Sequence, residues 1–166
     1  MNKKCIMIAC AFFVAVALQA KVSLPAFFSD GMVMQQQSQA SLWGKASKGK
    51  IVEVTTGWDG QTYTTRADEQ GKWKLTVQTP AAGGPYDITF DDGERTRIKD
   101  ILMGELWICS GQSNMEMPMK GFKNQPVEDA NMDVLRSRNS QIRLFTVKRN
   151  SQFAPVDDVT GCWNHA

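Results

Sequence analysis

The chain is 166 residues long and carries 19 basic and 17 acidic side chains, scattered rather than clustered. It therefore lacks the one-sided basic surplus with which proteins hold nucleic acid or anionic membrane. One histidine, His165, and no C-x-x-C pair leave too few ligands for a zinc site.

Residues 1–20 read as a cleavable secretory signal: Lys3 and Lys4 precede an apolar run from Ile6 to Leu18, and the small residue Ala20 follows. A membrane span takes roughly 18 or more apolar residues, so the run is short for an anchor. Cys10 raises the alternative of a lipid-modified cysteine, but almost no apolar core would precede it. The expectation is an exported chain, periplasmic or extracellular, that begins near Lys21 and has no membrane attachment after cleavage. Two lysines leave with the signal, and the remaining charges balance. Of four cysteines, Cys109 and Cys162 remain. Export permits a disulfide between them, and two buried free thiols are the other reading.

Residues 21–100 alternate short β-type runs with turn residues, which predicts an all-β sandwich-like domain. Ile51-Val52-Glu53-Val54-Thr55-Thr56 is β-branched. Trp73, Leu75 and Val77 share one strand face, and Tyr86, Ile88 and Phe90 repeat the alternation. Asp59-Gly60, Gln70-Gly71 and Asp92-Gly93 supply turn residues suited to positive φ. Pro80 to Pro85 reads as a loop, since proline cannot donate within a ladder.

At Ile101 the pattern changes. Ile101 to Cys109 is nearly continuous in apolar residues, as in a strand covered on both faces of a parallel sheet. Beyond a loop, Pro126-Val127-Glu128-Asp129 opens a predicted helix with Val127, Ala130 and Val134 on one face and Asn139 as its stop. Ile142 to Val147 reads as the next strand. Strand, helix, strand in this order is a parallel βαβ unit, so residues 101–166 are expected to begin an α/β domain whose parallel sheet is incomplete.

Between that first strand and the helix stands Ser113. Parallel α/β sheets place their chemistry just outside the carboxyl ends of their strands. Gly111 lets the backbone turn there, and a helix beginning after Ser113 would aim N–H groups at a developing oxyanion. Met115 breaks the G-x-S-x-G elbow pattern, so the residues alone also fit a serine that merely caps a turn.

The block Gly104-Glu105-Leu106-Trp107-Ile108-Cys109-Ser110-Gly111-Gln112-Ser113-Asn114-Met115-Glu116-Met117 resembles the first signature of the sialate O-acetylesterase family, within the SGNH (GDSL-like) hydrolases. Upstream, Leu24-Pro25, Phe28 to Gln35, Leu42-Trp43-Gly44, Gly71-Lys72-Trp73 and Gly83-Gly84-Pro85-Tyr86 resemble that family's N-terminal β domain. The resemblance implies that Ser113 is the nucleophile, with its own N–H contributing to the oxyanion hole. It also implies removal of acetyl groups from O-acetylated sialic acid by acyl transfer, with no metal or organic cofactor. In the family the base is a histidine in an Asp-x-x-His block, and a glycine and an asparagine in other blocks complete the oxyanion hole. Cys162 stands three before His165, so that block is missing here and the expectation is an N-terminal fragment, inactive alone.

Two alternatives stand beside this reading. One is a noncatalytic β module that binds glycan or supports a hydrolase domain; the other keeps the chemistry but acts on acetylated xylan or another polysaccharide. Trp58, just before a turn, is the candidate for stacking on a sugar ring, whereas Trp43, Trp73 and Trp107 are expected in the core. Met32, Met34, Met115, Met117 and Met119 read as gap-filling hydrophobes, and Asp157-Asp158 as a solvated turn.

Overall fold

The computed structural model describes residues 21–166; the expected signal at 1–20 lies outside the described residues. Seven strands come first: β1 (Val33–Gln35), β2 (Gln39–Lys45), β3 (Ile51–Thr56), β4 (Thr62–Arg66), β5 (Lys72–Gln78), β6 (Gly83–Asp91) and β7 (Arg95–Gly104). Five of them form a mixed sheet in the order β1-β7-β6-β3-β4, and β2 pairs with β5 in a second sheet. Alternation sets the inward faces. Val52, Val54 and Thr56 of β3 and Ile88 and Phe90 of β6 are fully buried, and Leu42, Trp73 and Val77 of the two-stranded sheet join them in one core. The Trp73 and Phe90 rings approach to 5.9 Å between the two sheets.

The residues quoted for the β-domain resemblance are mostly packing residues. Phe28, Met32, Met34, Leu42 and Trp73 are buried, and Trp43 meets Phe28 edge to face at 4.6 Å. A side chain on Gly44 would put its Cβ 2.5 Å from the Ser23 carbonyl oxygen and 2.9 Å from the Trp73 ring, so only glycine fits there. The predicted turns appear at Gly60, Gly71 and Gly93, each with positive φ. The loop expected up to Pro85 is shorter, because Gly83 to Pro85 begin β6.

The apolar run from Ile101 to Cys109 is not one buried strand. Ile98 pairs with Ile88 and Ile101 with Tyr86, so β7 spends three residues where β6 spends two. This β-bulge, with Asp100 at φ 58°, lets Ile98 and Ile101 both point inward although they are three apart. The apparent change of pattern at Ile101 is therefore a bulge within β7, which runs on to Gly104 and pairs in parallel with β1 (Gln35 opposite Gly104). After Gly104 the chain leaves the core: Trp107 is 82% exposed and Ile108 is 92% exposed.

Residues 105–166 hold a 3₁₀ turn (Ser113–Glu116), the hairpin β8 (Gly121–Phe122) and β9 (Gln125–Pro126), helix α1 (Ala130–Arg136), β10 (Arg143–Phe145) and β11 (Trp163–His165). The helix starts later than predicted because Asp129 adopts left-handed backbone (φ 54°) and Pro126 is used in β9. Of the expected apolar face only Ala130 is buried. β10 pairs with β11, antiparallel, so a parallel βαβ unit is not formed among the described residues. No described helix is long and apolar enough to cross a membrane.

Because Phe90 fills the centre of the core, Phe90→Ala should cost about 3–5 kcal/mol. Leu135→Ala, at a side chain 74% exposed, should stay within about 0.5 kcal/mol. Chemical denaturation of the two variants checks the contrast.

Candidate active site

Ser113 is carried away from the sandwich on residues 105–112, which are exposed and irregular, and it opens a 3₁₀ turn. The turn is closed by the Met115 amide donating to the Gln112 carbonyl at 3.0 Å. Glu116 forms an exposed ion pair with Arg149. Such a pair contributes little by itself. Ser113 thus stands nine residues past the end of β7, on an exposed segment rather than directly after the expected buried strand.

The base of that segment is tightly held. Gln36 Nε2 donates to Glu105 Oε1 at 2.8 Å, and Gln35 Nε2 donates to Glu105 Oε2 at 3.1 Å. Gln35 Oε1 in turn accepts the Leu106 amide at 2.9 Å, and Gln36 Oε1 accepts the Ala82 amide at 2.8 Å. The two amide donors, Gln36 first, hold the Glu105 carboxyl below its ordinary range. Beneath them the buried Thr79 hydroxyl donates to the Gln35 carbonyl at 2.7 Å.

The second anchor is the return of the C-terminal section onto the sandwich. Arg143, whose side chain is only 5% exposed, donates to both carboxylate oxygens of Asp100, at 2.9 and 3.1 Å, and to the Gly31 carbonyl at 3.1 Å. The bulge aims Asp100 outward to receive it. A Cβ at Gly31 would stand 3.2 Å from the guanidinium. Alongside, Phe27 packs against Phe145 (5.8 Å) and Trp163 (5.6 Å), and the Trp163 indole donates to the Phe27 carbonyl at 2.9 Å. Aromatic pairs of this kind contribute about 0.5–1.5 kcal/mol each beyond burial.

Asp157-Asp158 belongs to the same clasp and is more than a solvated turn. Lys72 donates to Asp157 at 2.6 Å, which lowers the acid and raises the lysine from their ordinary values. The Asp157 carbonyl accepts the Trp43 indole at 3.0 Å, and Asp158 Oδ1 accepts the Ala26 amide at 2.8 Å.

His165 stands with this clasp, its Nε2 4.0 Å from Asp100 Oδ2, in a small pocket with Asp30, Asn164 and Trp163. Among the described residues Ser113 Oγ has no hydrogen-bond partner, and no group of three or more His, Cys, Asp or Glu is placed to hold a metal. Cys109 and Cys162 are free and exposed, so neither a disulfide nor a buried thiol pair is formed. Trp58 is half-buried: its indole donates to the Gln78 carbonyl at 3.0 Å and its ring meets Tyr86 edge-on at 6.1 Å. Trp107 and the methionines at 115, 117 and 119 are exposed rather than in the core.

The fold is similar to that of a solved structure, a carbohydrate acetylesterase from Xanthomonas citri, at TM-score 0.78 and 31% identity over 87% of this chain and 32% of that one. Residues 21–104 make up only about half of the chain, so the shared path extends past the sandwich. No protein-family profile matches. The likeness is to the class of carbohydrate acetylesterases. Within that class the sialate O-acetylesterase of Mus musculus is 28% identical over 81% of this chain and the Homo sapiens protein 29% identical over 73%. The chain resembles these sialate O-acetylesterases over most of its own length. It spans about a quarter of the length of these curated relatives, 26% and 24% respectively.

Arg143 depends on Asp100 for its burial. Loss of one partner of a fully buried pair costs about 3–5 kcal/mol; Asp100 is 44% exposed, so Asp100→Ala should loosen the β10–β11 hairpin by roughly 2 kcal/mol. Hydrogen bonds from Arg143 are the main reason Asp100 titrates below its ordinary value of 3.8. A carboxylate lowered in the folded state contributes stability above its unfolded pKa and loses it as pH falls through the folded one. The β10–β11 pairing should therefore hold at pH above the ordinary aspartate value and loosen only below it, which the exchange rate of the Trp163 indole N–H with solvent checks.

Proposed function

We propose that this chain is the β module and serine-bearing opening of an exported serine esterase that removes acetyl groups from sugar hydroxyls, with O-acetylated sialic acid as substrate. The observation that carries the reading is the match to a carbohydrate acetylesterase that runs past the sandwich into the Ser113 segment. In this reading Ser113 Oγ attacks the acetyl carbonyl carbon, the carbonyl electrons collapse back, and the bond to the sugar oxygen breaks. A base takes the serine proton and returns it to the departing sugar hydroxyl; water then attacks the acetyl-serine and releases acetate. The chain's own part is to present the hydroxyl and, through the Ser113 N–H, one oxyanion donor. No metal or organic cofactor is needed.

In this reading the base is not His165, which lies in the clasp near Asp100 rather than with the Ser113 segment. It comes instead from an Asp-x-x-His block in further chain, and the 166 residues alone are inactive. In support, nearly all the exposed large hydrophobics, among them Leu106, Trp107, Ile108, Leu135, Leu144 and Phe153, lie after Gly104. So many exposed apolar side chains mark a surface built to be covered. In this proposal residues 101–166, with 101–104 completing β7, open an SGNH-type α/β domain whose parallel sheet is finished by chain that packs on that surface. A glycan-binding role for the sandwich gains nothing from Trp58, whose ring and indole N–H are both engaged within the fold.

Acetate release from O-acetylated sialic acid and from acetylated xylan would be measured with the product of the gene read past codon 166 and with the 166-residue chain. The longer product should prefer the sialic acid ester, and its Ser113→Ala variant should lose about 10⁴-fold or more in kcat. Activity that survives Ser113→Ala overturns the assignment of the nucleophile. Robust Ser113-dependent activity in the 166-residue chain overturns the need for an outside base, and preference for xylan moves the substrate.

A further inference from the structure

We infer that Glu105 is a positioning residue for the nucleophile segment, and that Gln35, Gln36 and Glu105 together form a lock that fixes where the Ser113 segment leaves the sandwich. The inference rests on the proposed role of Ser113 for its functional meaning, but the lock itself stands on geometry.

Glu105 is the first residue after β7 and the one acid in an apolar run from Ile101 to Cys109. Each of its oxygens accepts one glutamine amide, and each glutamine oxygen accepts one backbone N–H, from Leu106 on the departing segment and from Ala82 on the loop before β6. The polarity of this chain of bonds is fixed. Two NH₂ donors converge on two acceptor oxygens, and only a carboxylate offers two acceptors at one side-chain end. The backbone beneath is held as well: the Gln36 amide donates to the Gly104 carbonyl at 2.9 Å, and the Gln35 carbonyl accepts the hydroxyl of buried Thr79. Residues 105–112 have no regular structure, so the direction in which they start is set at this junction. An error of about 1 Å in the placement of a reacting group costs on the order of 10²-fold in rate.

The geometry predicts both a loss and its repair. In Glu105→Gln one of the two glutamine donors faces another NH₂ group and loses its acceptor. In the double variant Gln36→Glu/Glu105→Gln every bond returns with the charge moved. The carboxylate now at position 36 accepts from the Ala82 amide and from the side-chain NH₂ now at position 105, while the side-chain oxygen at position 105 accepts the Gln35 amide. The test uses the 166-residue chain with a nitroxide on Cys109, the other cysteines changed to serine, together with residue-resolved amide exchange. Glu105→Gln should speed exchange at Leu106 and Ala82 about tenfold and sharpen the Cys109 nitroxide spectrum, with β3 and β5 amides unchanged. The double variant should restore both. Unchanged exchange and nitroxide mobility in Glu105→Gln would overturn the lock. Failure of the double variant to restore them would overturn the specific bonding pattern and leave Glu105 no more than a charge at a strand end. Neither readout uses esterase activity, so a chain in which Ser113 proves not to be the nucleophile leaves this result untouched.

Discussion

Much of the structure hangs on one extra residue in β7. Without the bulge at Asp100, period-two alternation would send either Ile98 or Ile101 to solvent and would not turn Asp100 outward toward Arg143. Burying a guanidinium is costly unless its donors are met. Here Asp100 and the Gly31 carbonyl meet them, and the aromatic contacts of Phe27, Phe145 and Trp163 close over the same region. The strand that completes the sandwich is thus also the strand that tethers the following section.

That tether gives the β unit a role beyond its own stability. The chain leaves the sandwich at Glu105 and returns to it at Arg143, Asp157 and Trp163. Both ends of the excursion that contains Ser113 are therefore fixed to one rigid body. Sites held on rigid elements keep their geometry better than sites on free loops, and here the loop borrows rigidity from its two attachment points.

How much of this was legible in the sequence depends on range. β3, β5 and the core of β6 announce themselves through alternation at Val52/Val54, Trp73/Val77 and Ile88/Phe90, and the Asp-Gly and Gln-Gly turns stand where they were read. The bulge was not legible, because Ile98 and Ile101 are three apart and a period of two reads such spacing as a break. From there the error spread: the residues after Gly104 looked like a strand buried on both faces because they are apolar, whereas they are exposed. Contacts such as Arg143 with Asp100 or Asp158 with Ala26 join residues far apart in the chain, and no local pattern encodes them. Glu105 did leave a signal, as a lone acid in an apolar run. Ser113 itself was marked by the surrounding block and by its place past a strand end, not by any partner visible nearby.

The parallel pairing of β1 with β7 sets an order of events during synthesis. Val33 to Gln35 are made early, but their partners Leu102 to Gly104 follow about seventy residues later, and a non-local pairing of this kind is slow to close. Until it closes, Met32 and Met34 have no completed core to enter. The sheet can be finished only once the chain has been translated to the threshold of the serine block, so a nascent chain stalled earlier would expose an unsealed edge to quality control.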